Sequence, residues 1–98
     1  MPKKYGPLSL DLVVGLKIYK LEQQGKKVGF SMLVRELDGF VSKSTLPGLL
    51  NELADWNMIE IEYGETEHGR AGRFYTITGE ANLLFQELDS RHGDKIFN

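Results

Sequence analysis

VSKSTLPGLLNELADWNMIE, residues 41–60, holds two periodicities back to back. Leu46, Leu49, Leu50, Leu53 and Trp56 recur every three or four residues, which lines them along one side of a helix. The other side carries Ser44, Pro47, Gly48, Asn51 and Asp55, with Thr45 and Glu52 at its edge. After Asn57 the period falls to two. Ile59, Ile61 and Tyr63 alternate with Glu60 and Glu62, the pattern of a half-buried strand. The stretch therefore predicts a helix over 43–57 running directly into a strand. Ser42 or Ser44 is its N-cap. Pro47 favours Ser44, because proline then lies in the first turn, where its missing N–H has no helical partner to lose. Trp56 is expected in the core.

Downstream, the polar segment 64–72 contains three glycines and reads as a long hairpin tip. The return strand, 73–78, points Tyr75 and Ile77 inward. Thr78 caps a last helix over 79–92, with Ala81, Leu84, Phe85 and Leu88 on one face, and residues 95–98 are expected to fray. Upstream, Ser9 caps a helix over 10–24 that Gly25 ends in a left-handed turn. Its apolar residues fall in two arcs. Leu10, Val14, Ile18 and Leu21 form one, and Leu12, Leu16 and Tyr19 lie nearly opposite, where a surface helix normally shows one stripe. Residues 27–30 predict a short strand. Ser31 then caps a helix over 32–38 with Met32, Leu33 and Leu37 inward, and Gly39 ends it.

The composition narrows the possible functions. A chain of 98 residues with 41% hydrophobic content fits one domain able to form a core. The absence of cysteine excludes a disulfide framework and any zinc site with cysteine ligands. No apolar run is long enough to span a membrane. Lys3 and Lys4 precede an apolar stretch broken by Asp11 and Lys17, which is not a secretory signal, so a cytoplasmic location is expected. His68 and His92 are isolated, and no nucleophile, phosphate-cradling loop or paired histidines stand out; the expectation is a non-enzyme with no cofactor and no metal. The net charge of −2 means that any role on nucleic acid must rest on how the charge is distributed.

Two short helices followed by a hairpin give an α+β chain with the element order of a winged helix-turn-helix. Residues 41–60 resemble the recognition helix of winged-helix regulators, in which a Ser-x-Ser-Thr start leads into spaced leucines and an apolar strand. Residues 69–78, GRAGRFYTIT, resemble the wing of PadR-like and MarR-like regulators: a Gly-Arg tip, then Arg-aromatic-Tyr-x-aliphatic-Thr, then a helix. The likeness covers 41–88, about half the chain. It departs at Asn57, where such proteins often carry glycine, and at Ala81, which takes the glycine position of Thr-x-x-Gly. The resemblance implies a transcriptional regulator that binds duplex DNA as a homodimer.

Given that fold, the third helix would present Lys43, Ser44, Thr45, Gly48 and Asn51 to the major groove. Small residues permit close approach, and asparagine can pair bidentately with adenine. His68, Arg70 and Arg73 on the wing would reach flanking DNA, where an arginine can enter a narrow minor groove; Arg73 alternatively pairs with Glu60 or Glu62 across the hairpin. The second arc of the first helix and the last helix predict an interface between two copies at Leu12, Leu16, Tyr19, Phe85 and Leu88. The rival reading is a winged-helix module that binds protein and not DNA, favoured by the acidic balance.

Overall fold

The computed structural model describes residues 8–65, 69 and 71–97. The elements run α1 (Leu10–Gln23), α2 (Phe30–Glu36), α3 (Leu46–Asp55), β1 (Ile59–Glu65), β2 (Ala71–Ile77) and α4 (Gly79–Leu88), followed by a π-helical turn, Asp89–Gly93, and α5 (Asp94–Phe97). This is a winged helix-turn-helix: a helical body with a two-stranded antiparallel wing.

Local chemistry places the helix ends. Ser9 stands at the N-cap of α1, but its hydroxyl bonds the Asp11 carboxylate, and Asp11 Oδ1 accepts the Leu12 N–H at 2.9 Å. At the other end Gly25 has φ +81°, Gly25 N–H reaches Glu22 O at 2.9 Å and Lys26 N–H reaches Leu21 O at 3.1 Å. Those two bonds satisfy carbonyls that the helix end would otherwise orphan. The same pair recurs after α3, with Asn57 at φ +61° in place of glycine: Asn57 N–H to Ala54 O and Met58 N–H to Leu53 O, both 2.9 Å. Asparagine tolerates this conformation better than other non-glycine residues, so the departure from glycine leaves the turn intact.

α1 is buried almost all round, with Val13, Val14, Gly15, Leu16, Ile18, Tyr19 and Leu21 inside. It packs against α2, α3, β2 and α4. Its two apolar arcs thus have separate partners within one chain. A Cβ on Gly15 would overlap the Phe85 ring, so the absence of a side chain there lets α4 close over α1. This corrects the expected interface between copies. Leu16, Tyr19 and Phe85 are core residues of the single chain, and only Leu12 and Leu88 of that set remain partly exposed.

Other boundaries also differ from expectation. α2 starts at Phe30, not Met32, with Gly29 and not Ser31 as N-cap. Gly29 bridges Phe74, and Val28 O accepts Tyr75 N–H at 2.9 Å, which reduces the expected strand over 27–30 to an isolated bridge. Residues 95–97, expected to fray, lie in α5, and Asn98 lies outside the described residues. After α4 the chain continues through the π-helical turn, where Lys20 Nζ meets Asp89 Oδ1 at 2.7 Å, and Ile96 is buried in the core. A Cβ on Gly93 would overlap Asp89 Oδ1, so glycine keeps that ion pair accessible to Lys20.

Trp56 and Leu84 contradict their assignment to the core. Trp56 is 73% exposed and Leu84 40%. Leu46, Leu50 and Leu53 form the buried stripe of α3; at 3.6 residues per turn Trp56 lies about 80° off its centre, past the end of the helix. Leu84 is similarly offset from the line through Ala81 and Phe85, the buried residues of α4.

Candidate nucleic-acid interface

The start of α3 is built by hydroxyls. Ser42 O accepts both Thr45 N–H and Leu46 N–H at 3.1 Å, so residues 43–45 form a turn that feeds the helix rather than its first residues. Ser42 is the serine that matters here: its Oγ accepts Thr45 N–H at 3.2 Å and donates to Thr45 Oγ1 at 2.7 Å, and the Ser42 and Ser44 hydroxyls lie 3.3 Å apart. Thr45 occupies the N-cap position and Pro47 falls in the first turn. Lys43, Ser44, Thr45, Gly48 and Asn51 are all exposed. Asn51 lies about 60° from Gly48 around the helix, and Lys43, Ser44 and Thr45 stand in the turn just before it.

The exposed face of α3 is graded in charge. Lys43 and the hydroxyls stand at its N-terminal end, where the helix dipole also places a partial positive charge. Glu52 and Asp55, both exposed, stand at its C-terminal end. A Cβ built on Gly48 meets nothing within 4 Å. Among the described residues nothing therefore calls for glycine there, although glycine inside a helix is about 0.5–1 kcal/mol worse than alanine.

The wing pairs Ile59 with Ile77, Ile61 with Tyr75, Tyr63 with Arg73 and Glu65 with Ala71. Tyr75 and Ile59 are buried against the helices. Burial holds the Tyr75 phenol above its usual pKa, against the opposing influence of the Arg73 charge. Tyr63 continues the inward-facing row, yet is 80% exposed, because at its level the strand has passed beyond the helical body. Arg73 lies opposite Tyr63, on the face away from Glu60 and Glu62. It has no ion pair with a described residue, so the predicted cross-hairpin pairing is not made. His68 and Arg70 lie outside the described residues.

On the wing's other face Phe74 rests between glycines. A Cβ on Gly29 would stand 3.4 Å from its ring and one on Gly64 3.5 Å, while Lys27 Nζ lies 4.3 Å from the ring centroid. Sequence reading missed Lys27 and Tyr63 as exposed wing groups. The only signal for Tyr63 was its distance along the strand from the last buried partner.

The base of the wing is locked to the end of α3 and the start of α4. Thr78 Oγ1 donates to Asn57 O at 2.8 Å and accepts Ala81 N–H at 3.1 Å, and Asn57 Nδ2 donates to Glu80 Oε1 at 2.6 Å. Glu22 Oε1 accepts Ile77 N–H at 3.0 Å, tying the end of β2 to α1. The angle between α3 and the wing is thus held by bonds from three elements. Among the described residues no cluster of histidine and carboxylate side chains could hold a metal ion, and no helix is long and apolar enough to cross a membrane.

No protein-family model matches the chain, and no curated sequence matches it. Solved structures do. The fold is similar to that of a PadR-like transcriptional regulator from Bacillus cereus, at 20% identity and a TM-score of 0.68 over 87% of this chain and 82% of that one. It is similar to the circadian clock associated protein Pex from Anabaena, at 20% identity and a TM-score of 0.70 over 92% and 82%. A PadR-like transcription factor from Bacteroides fragilis matches at 22% identity and a TM-score of 0.64 over 87% and 81%.

Proposed function

We propose that this chain is a cytoplasmic, non-enzymatic transcriptional regulator that binds duplex DNA as a homodimer. α3 enters the major groove and the wing rests on flanking DNA. The observation that carries this reading is the open face around Gly48, which is small, polar and exposed, with no described residue against Gly48 itself. Such a face suits close approach to base edges, and the likeness to PadR-like regulators supports the same use. Asn51 supplies a base contact, Lys43, Ser44 and Thr45 hold the backbone at the helix start, Gly48 gives clearance, and Arg73 with His68 and Arg70 serves the wing.

Pairing of two copies would set two recognition helices on two half-sites. With Leu16, Tyr19 and Phe85 consumed by the core, the most exposed apolar residue of α4, Leu83 at 74%, is the candidate for pairing, while Leu12 and Leu88 stay half-buried. Sedimentation of the wild-type chain and of Leu83→Asp tests it. A dimer that the substitution dissociates supports the reading, and a monomer at high micromolar concentration removes it. For DNA, binding to duplex must weaken steeply as salt rises, because phosphate contacts release counterions. No duplex binding at low salt would end the proposal.

A further inference from the structure

We infer that the face around Trp56, where the end of α3 meets β1 and the start of α4, docks a basic, apolar peptide segment of a partner protein. This inference does not depend on DNA binding and uses none of the residues assigned to it. Trp56, Met58, Ala81 and Leu84 line one shallow depression of about 200 Å³, with Asn57 and Glu80 completing its wall. The volume is below the roughly 300–1,000 Å³ of small-molecule pockets, and the depression is open, as suits a side chain presented by another protein. Trp56 is the only tryptophan of the chain and contributes little to its core, being 73% exposed. Tryptophan so placed, beside an exposed leucine and a half-buried methionine, has the composition of a binding hot spot.

Charge selects the occupant. Between Ser44 and Gly69 the sequence has no lysine or arginine, but carries Glu52, Asp55, Glu60, Glu62, Glu65 and Glu67. α4 adds Glu80 and has no lysine or arginine of its own; its Glu87 is paired with Arg91 in the following turn. The depression therefore has one carboxylate, Glu80, on its wall and the exposed Asp55 next to Trp56 in sequence. Nucleic acid is repelled from it, whereas lysine or arginine flanking an apolar anchor is attracted, with Trp56 available for a cation–π contact. Glu80 is the carboxylate at the depression itself, held in place by the amide of Asn57 at 2.6 Å.

The test uses the intact chain and a synthetic peptide of alternating lysine and leucine, with the emission of Trp56 as reporter. A saturable blue shift is expected, weakening as salt rises. By calorimetry, Leu84→Ser should raise the dissociation constant about tenfold and Trp56→Ala at least as much, the scale of a hot-spot truncation; Glu80→Gln should raise it several-fold. Trp56→Ala should leave thermal unfolding and DNA binding unchanged, and Asn51→Ala should leave peptide binding unchanged, so the two readings fail separately. The inference is overturned if a glutamate–leucine peptide gives the same shift, or if Trp56→Ala binds as the wild type does. It is also overturned if Trp56 becomes shielded from a quencher as the protein alone is concentrated, since a second copy would then occupy the face.

Discussion

Gly15 in α1 and Gly48 in α3 are both helical glycines, and their surroundings are opposite. A side chain at Gly15 would collide with the Phe85 ring; one at Gly48 would meet open space. Each position gives up the stability that alanine would add to a helix, roughly 1 kcal/mol. At Gly15 the return is visible inside the molecule: α4 lies close on α1, and the second apolar arc of α1 is covered without a partner chain. At Gly48 the fold receives nothing in return. The difference separates residues kept for packing from residues available for something outside the chain, and it does so without appeal to likeness with other proteins.

The packing side of the comparison predicts the largest effects. Phe85 is fully buried against α1, so Phe85→Ala should destabilise the chain by about 3–5 kcal/mol, read from the urea midpoint. Gly15→Ala should be destabilising despite the better helix propensity of alanine, by about 1–3 kcal/mol, the range for overpacking a well-filled core. The combination Gly15→Ala with Phe85→Leu should recover part of that loss, because the two sites are in contact and their effects are not additive. A Gly15→Ala chain that unfolds at higher urea than the wild type would mean that α4 does not lie on α1 in this way.

Features set by neighbours in sequence were legible from the residues alone. The change of period after Asn57, the left-handed turn at Gly25, the cap at Thr78 and the inward Tyr75 all depend on residues within a few positions of one another. The exposed face of α3 was legible as the complement of its leucine stripe. What depends on which element covers which was not legible. Two arcs on α1 required two partners, but nothing local distinguished the chain's own α4 from a second copy. Trp56 and Leu84 sit at the margin of their stripes, where burial depends on how far the covering element extends and not on helical spacing. The strand over 27–30 shrank because Gly29 was taken up by two tasks, capping α2 and making room for Phe74.

On the outward side of the comparison, Asn51 lies one turn beyond Gly48 on the same face and is exposed. If it pairs bidentately with a base, Asn51→Ala should lose roughly 1–3 kcal/mol of binding at one position of the operator and little elsewhere. Arg73→Ala should instead weaken binding to every sequence and lower the salt slope by about one. Neither change should alter the stability read from urea unfolding by more than about 0.5 kcal/mol, since both side chains are exposed and lack a described partner that the fold depends on. Competition with duplexes altered one base pair at a time distinguishes the two patterns. A uniform loss from Asn51→Ala would place that residue on the phosphate backbone.

The smallest expected change has the sharpest sign. Gly48→Ala adds one methyl group to an exposed position near the start of α3 and meets no atom of the described residues. Stability should rise, by up to about 1 kcal/mol, because alanine restricts the unfolded chain and favours the helix. If α3 approaches DNA as closely as its small residues allow, the same methyl group stands in the contact, and affinity should fall while stability rises. Gly15→Ala would show the reverse relation to stability at a position that touches no outside partner. Two measurements on one variant, the urea midpoint and the duplex dissociation constant, are enough. Opposite movements place Gly48 at the interface. A stability gain with unchanged affinity would mean that the helix stands off from the groove at this point, and that contact with DNA rests on Lys43, Asn51 and the wing instead.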